Sequence, residues 1–323
     1  MTDVKNAFVQ SPGIVKIINT IESKIGSGHR RCPNHLKVIG ESGSGKTTFI
    51  EHLITRYPRT ITDNDDQDIV PYVHLKLTKD VSNLALIRSV LEQLGDPDYK
   101  EPDVNEAYKK LWSLLEKCQV ELICFDEFHN MRRGLTSRVS VSALTFIKDL
   151  SNNSKALLVA FGTEETEELI STEKELATRF DSVCYMPSYS IYDGQRCIFE
   201  KYLLDLSKYV DISNAEHLFT SDFPERLYFA TRALPRTMAR LIDNALKHAK
   251  NENREVVNNK DYYQAALGLS SARRQAKVFF LSKIKVAELV SMEAYKKPEC
   301  ERSLEILQDI FSNDRGLVRL CTE

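Results

Sequence analysis

Gly40-Glu41-Ser42-Gly43-Ser44-Gly45-Lys46-Thr47 is the stretch on which the fold turns. It fills the pattern G-x-x-x-x-G-K-[ST] at every fixed position. The glycines let backbone N–H groups turn inward around phosphate oxygens. A helix starting at Lys46 points its positive end at the same anion. Lys46 is expected at the β- and γ-phosphates of ATP, and the Thr47 hydroxyl on Mg²⁺. The candidate nucleotide-binding set is therefore Gly40, Glu41, Ser42, Gly43, Ser44, Gly45, Lys46, Thr47 and Thr48. The flanks agree: Leu36–Ile39 is a short apolar strand, and an amphipathic helix runs from Lys46 to about Arg56, ahead of Pro58.

Outward from this loop, apolar runs alternate with helical periodicity. Val73–Leu77, Leu122–Phe125, Ala156–Phe161 and Val183–Met186 read as further strands. Helices are expected over Ile14–Ile25, Asn83–Leu94, Val104–Cys118, Val139–Asn152 and Glu164–Ser171. Strands that are apolar on both faces and separated by helices indicate a parallel sheet sandwiched by helices. From Tyr192 onward only helical patterns remain, over Gly194–Ser207, Ser213–Thr220, Phe223–Thr231, Thr237–Asn251 and Lys260–Leu267. The expected organisation is α/β: a nucleotide-binding domain over 1–190 with five parallel strands, an all-helical lid over 191–268, and a helical C-terminal tail over 269–323 that contacts a partner or DNA.

Composition narrows the class without naming a partner. Lys and Arg total 44 against 46 Asp and Glu, so no global charge selects nucleic acid or membrane. The 7 cysteines form no CxxC pair, which argues against a zinc ribbon or disulfide framework and for a reduced, cytoplasmic setting. The longest apolar runs, such as 157–161, are too short to span a bilayer, and the first residues lack a secretory pattern.

Leu122-Ile-Cys-Phe-Asp126-Glu127 supplies the second chemical signal. A strand ending there sets Asp126 beside the phosphate loop to hold the Mg²⁺ shell, and Glu127 to polarise a water as general base. Thr163, after Leu-Val-Ala-Phe-Gly, is placed either to orient that water or to cap the following helix, whose first turn carries Glu165 and Glu167. Arg179, ahead of the fifth strand, is placed to reach a neighbouring subunit's γ-phosphate, or else to pair on the surface with Glu173 or Glu175. Arg236 opens a lid helix and can report nucleotide state, with Arg240 one turn later as its substitute. His129, after Glu127, reads as a packing residue or one lying behind the groups in direct contact with the ligand, rather than as a metal ligand.

These elements, in this order and followed by a helical lid, resemble an AAA+ ATPase. GESGSGKTT, CFDEFHN, LLVAFGT and ELATRF resemble the TniB/TnsC family of DNA transposition regulators over about residues 10–250. Ala233-Leu-Pro235 stand where many relatives carry a glycine shortly before the arginine. The resemblance implies slow ATP hydrolysis and a homo-oligomer, ring or helical, around double-stranded DNA. It also implies partners: the transposase subunits and a TniQ-like target-selection protein.

DNA enclosed by an oligomer needs phosphates neutralised rather than bases read. Lys76, Thr78 and Lys79 after the second strand, and Arg132, Arg133 and Arg138 after the carboxylates, are the candidates. They are equally suited to subunit salt bridges or a solvated face. The basic stretch Arg273–Lys285, which interleaves Phe279 and Phe280 with cations, is a second candidate, or an amphipathic helix packed on the lid. Two alternatives share the nucleotide motifs: an initiator- or clamp-loader-like ATPase, and a nucleotide-gated protein-binding module with no DNA role.

Overall fold

The computed structural model describes residues 7–25, 34–61, 68–79, 81–100, 102–134, 138–192, 195–210 and 212–293. The chain divides into two compact units. One comprises Lys16–Ser42 and Lys46–Met186; the other gathers the residues before Lys16, Gly43–Gly45, and those from Pro187 onward.

Helix α1 (Pro12–Lys24) leads into the first unit, where strands and helices then alternate. They are β1 (Leu36–Ile39), α2 (Lys46–Ile54), β2 (Tyr72–Lys76), α3 (Asn83–Gln93), α4 (Val104–Lys117), β3 (Leu122–Asp126), α5 (Arg138–Asn153), β4 (Leu157–Gly162), α6 (Glu164–Thr172), α7 (Lys174–Arg179) and β5 (Ser182–Tyr185). A 3-10 segment, Phe128–Gly134, follows β3. All strand pairs are parallel, in the order β2-β3-β4-β1-β5. The inner strands β3 and β4 are buried at every residue, which is why their sequences are apolar without alternation.

Local chemistry sets the helix ends. Ser82 and Asp103 cap α3 and α4 by accepting from Ala85 N and Glu106 N. Helix α2 stops at Ile54, two residues before the expected Arg56; the Arg56 and Tyr57 amides close a turn on Leu53 O and Ile54 O ahead of Pro58. Strand β5 begins one residue early at Ser182, and the Met186 amide still donates to Ile39 O at 2.7 Å. On the edge strand β2, Gln93 reaches back from α3: His74 N donates to its Oε1 and its Nε2 donates to His74 O, both at 2.9 Å.

One buried polar residue locks the sheet to its helices. Nδ1 of His35 accepts from Leu158 N at 3.2 Å, so Nε2 carries the proton and donates to Ser151 Oγ at 3.1 Å. Burial pushes this imidazole down to about 4, so it stays neutral.

The second unit is helical: α8 (Arg196–Ser207), α9 (Ile212–His217), α10 (Phe223–Thr231), α11 (Pro235–Asn251), α12 (Asn259–Leu267), a 3-10 segment Arg273–Phe280, and α13 (Lys283–Glu293). Tyr262, Phe223 and Phe279 meet at ring centroid distances of 4.7–6.1 Å in its core. Phe279 comes from the basic stretch with two readings, a DNA or partner contact and an amphipathic helix packed on the lid; its apolar side follows the second, as a 3-10 segment rather than an α-helix. Ala272, Ala276, Val278 and Phe279 are all buried in this core, while Arg273, Arg274 and Lys277 face solvent. Arg226 secures the segment by donating to Val278 O and Leu281 O at 2.7 and 2.9 Å. Among the described residues, no helix is long and apolar enough to cross a membrane.

The α11–α12 junction is held by a buried carboxylate. Asp261 is fully buried and accepts from Arg254, from His248 Nδ1 at 2.7 Å and from Asn258 N at 2.9 Å. Burial, the largest single influence, pushes its carboxyl up, but the hydrogen bonds from Arg254, the Asn258 backbone and His248 together hold it below the usual range. A depressed folded-state value contributes stability above the unfolded value of about 3.9, lost as pH falls through the folded one. Urea midpoints of the full chain are expected to fall from pH 5 to pH 3. In Asp261→Asn the pH 5 midpoint drops and the difference between the two pH values narrows; an unchanged difference would remove Asp261 from this role.

Candidate nucleotide site

The order of the sheet assembles the site. Ile39 pairs with Gly162 and Phe125 with Ala160, so β1, β4 and β3 end at nearly one level. The loop 40–45, Thr163 and the pair Asp126-Glu127 therefore issue from the same carboxyl edge, with the end of β4 in the middle.

Backbone geometry shapes the loop. Gly43 and Gly45 take φ of +89° and +93°, a region that a side chain would strain. The Gly40 amide donates to Gly162 O at 2.9 Å, fixing the loop's start to β4. Lys46 is 5% exposed, and its Nζ donates to Gly40 O and Glu41 O at 2.8 and 2.9 Å, folding the ammonium over the loop. Ser44 is also buried; Glu41 and Ser42 are exposed, and Thr48 is half-buried in the first turn of α2.

Thr47 Oγ1 donates to Asp126 Oδ2 at 2.8 Å. Asp126 is fully buried, and its Oδ1 accepts from Glu127 N at 2.9 Å. A hydroxyl and a carboxylate held together offer hard oxygen donors of the kind Mg²⁺ selects, so these residues fit such an ion. His74 Nε2 lies 4.0 Å from Asp126 Oδ2. Burial, more than the opposing pull of Asp126, lowers its pKa and keeps it neutral. Sequence reading did not single out His74; only the β2–β3 register aligns it with the strand that ends in Asp126.

Glu127 departs from the strand at φ +56°, a left-handed conformation uncommon for a side-chain-bearing residue. Its Oε2 lies 3.2 Å from His129 Nε2. Thr163 occupies the N-cap position of α6 and its carbonyl accepts from Thr166 N at 2.8 Å, but its hydroxyl makes no capping bond. The Thr163 hydroxyl is instead a buried polar atom with no partner among the described residues, as is that of Thr166. The expected N-cap position and acidic first turn of Glu164, Glu165 and Glu167 are therefore present, but the hydroxyl itself does not cap.

Arg179 ends α7 half-buried, and its carbonyl accepts from His35 N at 2.7 Å. It forms no pair with Glu173, which binds Lys148 at 2.7 Å, and its Nη1 is buried with no partner among the described residues. In the second unit Arg236 and Arg240 are both exposed; the Arg236 amide donates to Gly43 O at 3.2 Å, within the unit to which Gly43 belongs. Ala233, two residues before α11, takes φ +53°, so an alanine here adopts the conformation a glycine would take without strain.

Lys76, the last residue of β2, and Thr78 and Lys79 just after it are all exposed. The side chains of Arg132, Arg133 and Arg138 lie outside the described residues. His248, Glu252 and Asp261 bring ligand atoms within 4.8 Å of one another, but Arg254 bonds to both carboxylates, which makes the group an ion-pair network. Burial pushes the Cys124 thiol up, so it acts as a small apolar residue.

Solved structures share this fold. Cdc6p of Pyrobaculum aerophilum is 15% identical with a TM-score of 0.59, over 80% of this chain and 68% of that one. The ORC2 protein of Aeropyrum pernix, in ADPNP–ADP complexes, is 12% identical with a TM-score of 0.57, over 79% and 66%. The ORC1 protein of Aeropyrum pernix, in complex with DNA, is 15% identical with a TM-score of 0.53, over 80% and 66%. The chain therefore spans about two thirds of their length and shares their AAA+ fold. No curated protein sequence matches it. Residues 4–190, more than half of the sequence, match the family described as "Bacterial TniB protein", and the chain belongs to that family.

Proposed function

We propose that this chain is an ATP-hydrolysing, DNA-binding regulator of DNA transposition. It assembles as a ring or helical oligomer on duplex DNA and links a TniQ-like target-selection protein to the transposase. The bond between Thr47 and Asp126 carries the nucleotide part of this reading, because it joins the two oxygen donors a phosphate-bound Mg²⁺ requires. Family membership supports the transposition context.

Each residue then has a task. Loop amides and Lys46 hold the β- and γ-phosphates. Thr47 and Asp126 would hold Mg²⁺, which when bound neutralises charge on phosphate oxygens. Glu127 takes the proton of the attacking water, and the unpartnered Thr163 hydroxyl orients that water. Arg179 reaches the γ-phosphate held by a neighbouring subunit, where its guanidinium stabilises charge on the transferring group. Arg236, with Arg240 one turn later as its substitute, senses the nucleotide from the lid. Lys76, Thr78, Lys79, Arg132, Arg133 and Arg138 contact DNA phosphates. ATP binding favours the oligomer and hydrolysis loosens it, so turnover is slow by design.

Lys46→Ala is expected to weaken ATP binding by about 10- to 100-fold, the loss of a hydrogen-bonded charge. Asp126→Asn is expected to remove the Mg²⁺ dependence of that binding; titrations with and without Mg²⁺ check both. Thr163→Val replaces an unpartnered hydroxyl by an isostere. It should leave the unfolding midpoint within about 0.5 kcal/mol while turnover falls; a large stability loss would make the hydroxyl structural. Electron microscopy of the protein with duplex DNA tests the whole reading. Particles on DNA with an ATP analogue, absent with ADP and weakened by salt, are expected; monomers in every condition would overturn it.

A further inference from the structure

The turn after β3 holds an arrangement that the tasks above leave unused. Phe128 is fully buried, with ring centroids 6.1 and 6.4 Å from Phe125 and Phe180. With residue 128 anchored inward, Glu127 turns off the strand at φ +56° and the 3-10 segment starts directly after it. The turn is further fixed by Asn130, whose amide donates to Glu127 O at 2.9 Å and whose side chain donates to Leu77 O at 3.1 Å. The result is a 3.2 Å approach of His129 Nε2 to Glu127 Oε2, with the Glu127 side chain 30% exposed and that of His129 15%.

The other ring nitrogen faces the end of β4. His129 Nδ1 is buried, and a Cβ built on Gly162 would lie 3.2 Å from it and 1.9 Å from Thr166 Oγ1. Any side chain at residue 162 would collide with Thr166 and press on the imidazole. Gly162 has no positive φ to explain it; the space its missing Cβ leaves is taken by these two residues.

We propose that His129 is a positioning residue for Glu127, and that Gly162 is glycine because the imidazole and Thr166 need its side-chain space. The proposal rests on Glu127 as the base for ATP hydrolysis. A glutamate has three rotatable bonds, and one that leaves a strand in a left-handed turn has no neighbouring strand to aim it. The imidazole edge, 3.2 Å from one carboxylate oxygen, restricts that oxygen and leaves the other to accept a proton from water. The same ring touches the β4 end that carries Thr163, so the water-orienting and proton-accepting groups are set by one packed unit.

The test compares single-turnover hydrolysis and ATP affinity in the full chain for four variants. His129→Ala is expected to slow turnover by roughly 10- to 100-fold, as loss of a supporting hydrogen bond does, with ATP Kd within about twofold. His129→Gln, whose amide N–H can replace the Nε2 donor, recovers most of the rate. Gly162→Ala shows a loss like that of His129→Ala. Glu127→Gln abolishes turnover and keeps binding. Turnover surviving in Glu127→Gln would overturn the base reading, and the role of His129 with it. Turnover lost in Glu127→Gln but intact in His129→Ala would overturn the role of His129 alone. Equal losses of rate and affinity in both His129→Ala and His129→Gln would make the histidine structural and overturn the proposal.

Discussion

The structure depends on one hydrogen bond, from Thr47 Oγ1 to Asp126 Oδ2, between residues 79 positions apart. It forms only because β1 and β3 end at the same level with β4 between them. Remove the parallel register and the phosphate loop and the acidic pair become unrelated segments. With it, the positive end of α2, a lysine, a hydroxyl and two carboxylates converge on one edge of the sheet. Asp126 is buried, and two donors, one from each side, hold its oxygens in place.

Polar groups are buried in two contrasting ways. His35, Arg226 and Asp261 are enclosed by donors and acceptors that match them, and they serve packing. At the end of β4, Thr163, Thr166 and the second nitrogen of His129 are enclosed without partners among the described residues. Unsatisfied buried atoms are costly, so a cluster of them is retained where chemistry, not folding, needs them. The left-handed Glu127 beside them belongs to the same pattern of locally unfavourable structure at a working site.

Much of this was legible in the chain. The Gly-rich loop reads directly because its glycines answer a backbone requirement and its lysine and threonine a chemical one. Strands β3 and β4 read well because an inner parallel strand has no polar face to confuse the pattern. Helix α7 did not, since six residues give too little periodicity to recognise. His74 and Gly162 were invisible as site residues because their meaning lies in register and in a neighbour's ring, which no spacing encodes. The segment around Phe279 stayed ambiguous for another reason. Cations interleaved with aromatics suit a nucleic-acid contact and an amphipathic segment packed on the lid alike, and only the filled core selects the second.

Gln93 has a bearing on how copies of this chain meet. An outermost strand normally offers its free amides and carbonyls to any second chain, and such pairing grows without a natural stop. At His74 both groups are already engaged by a side chain from within the molecule. Polymerisation by strand addition along that rim would have to begin by breaking two bonds.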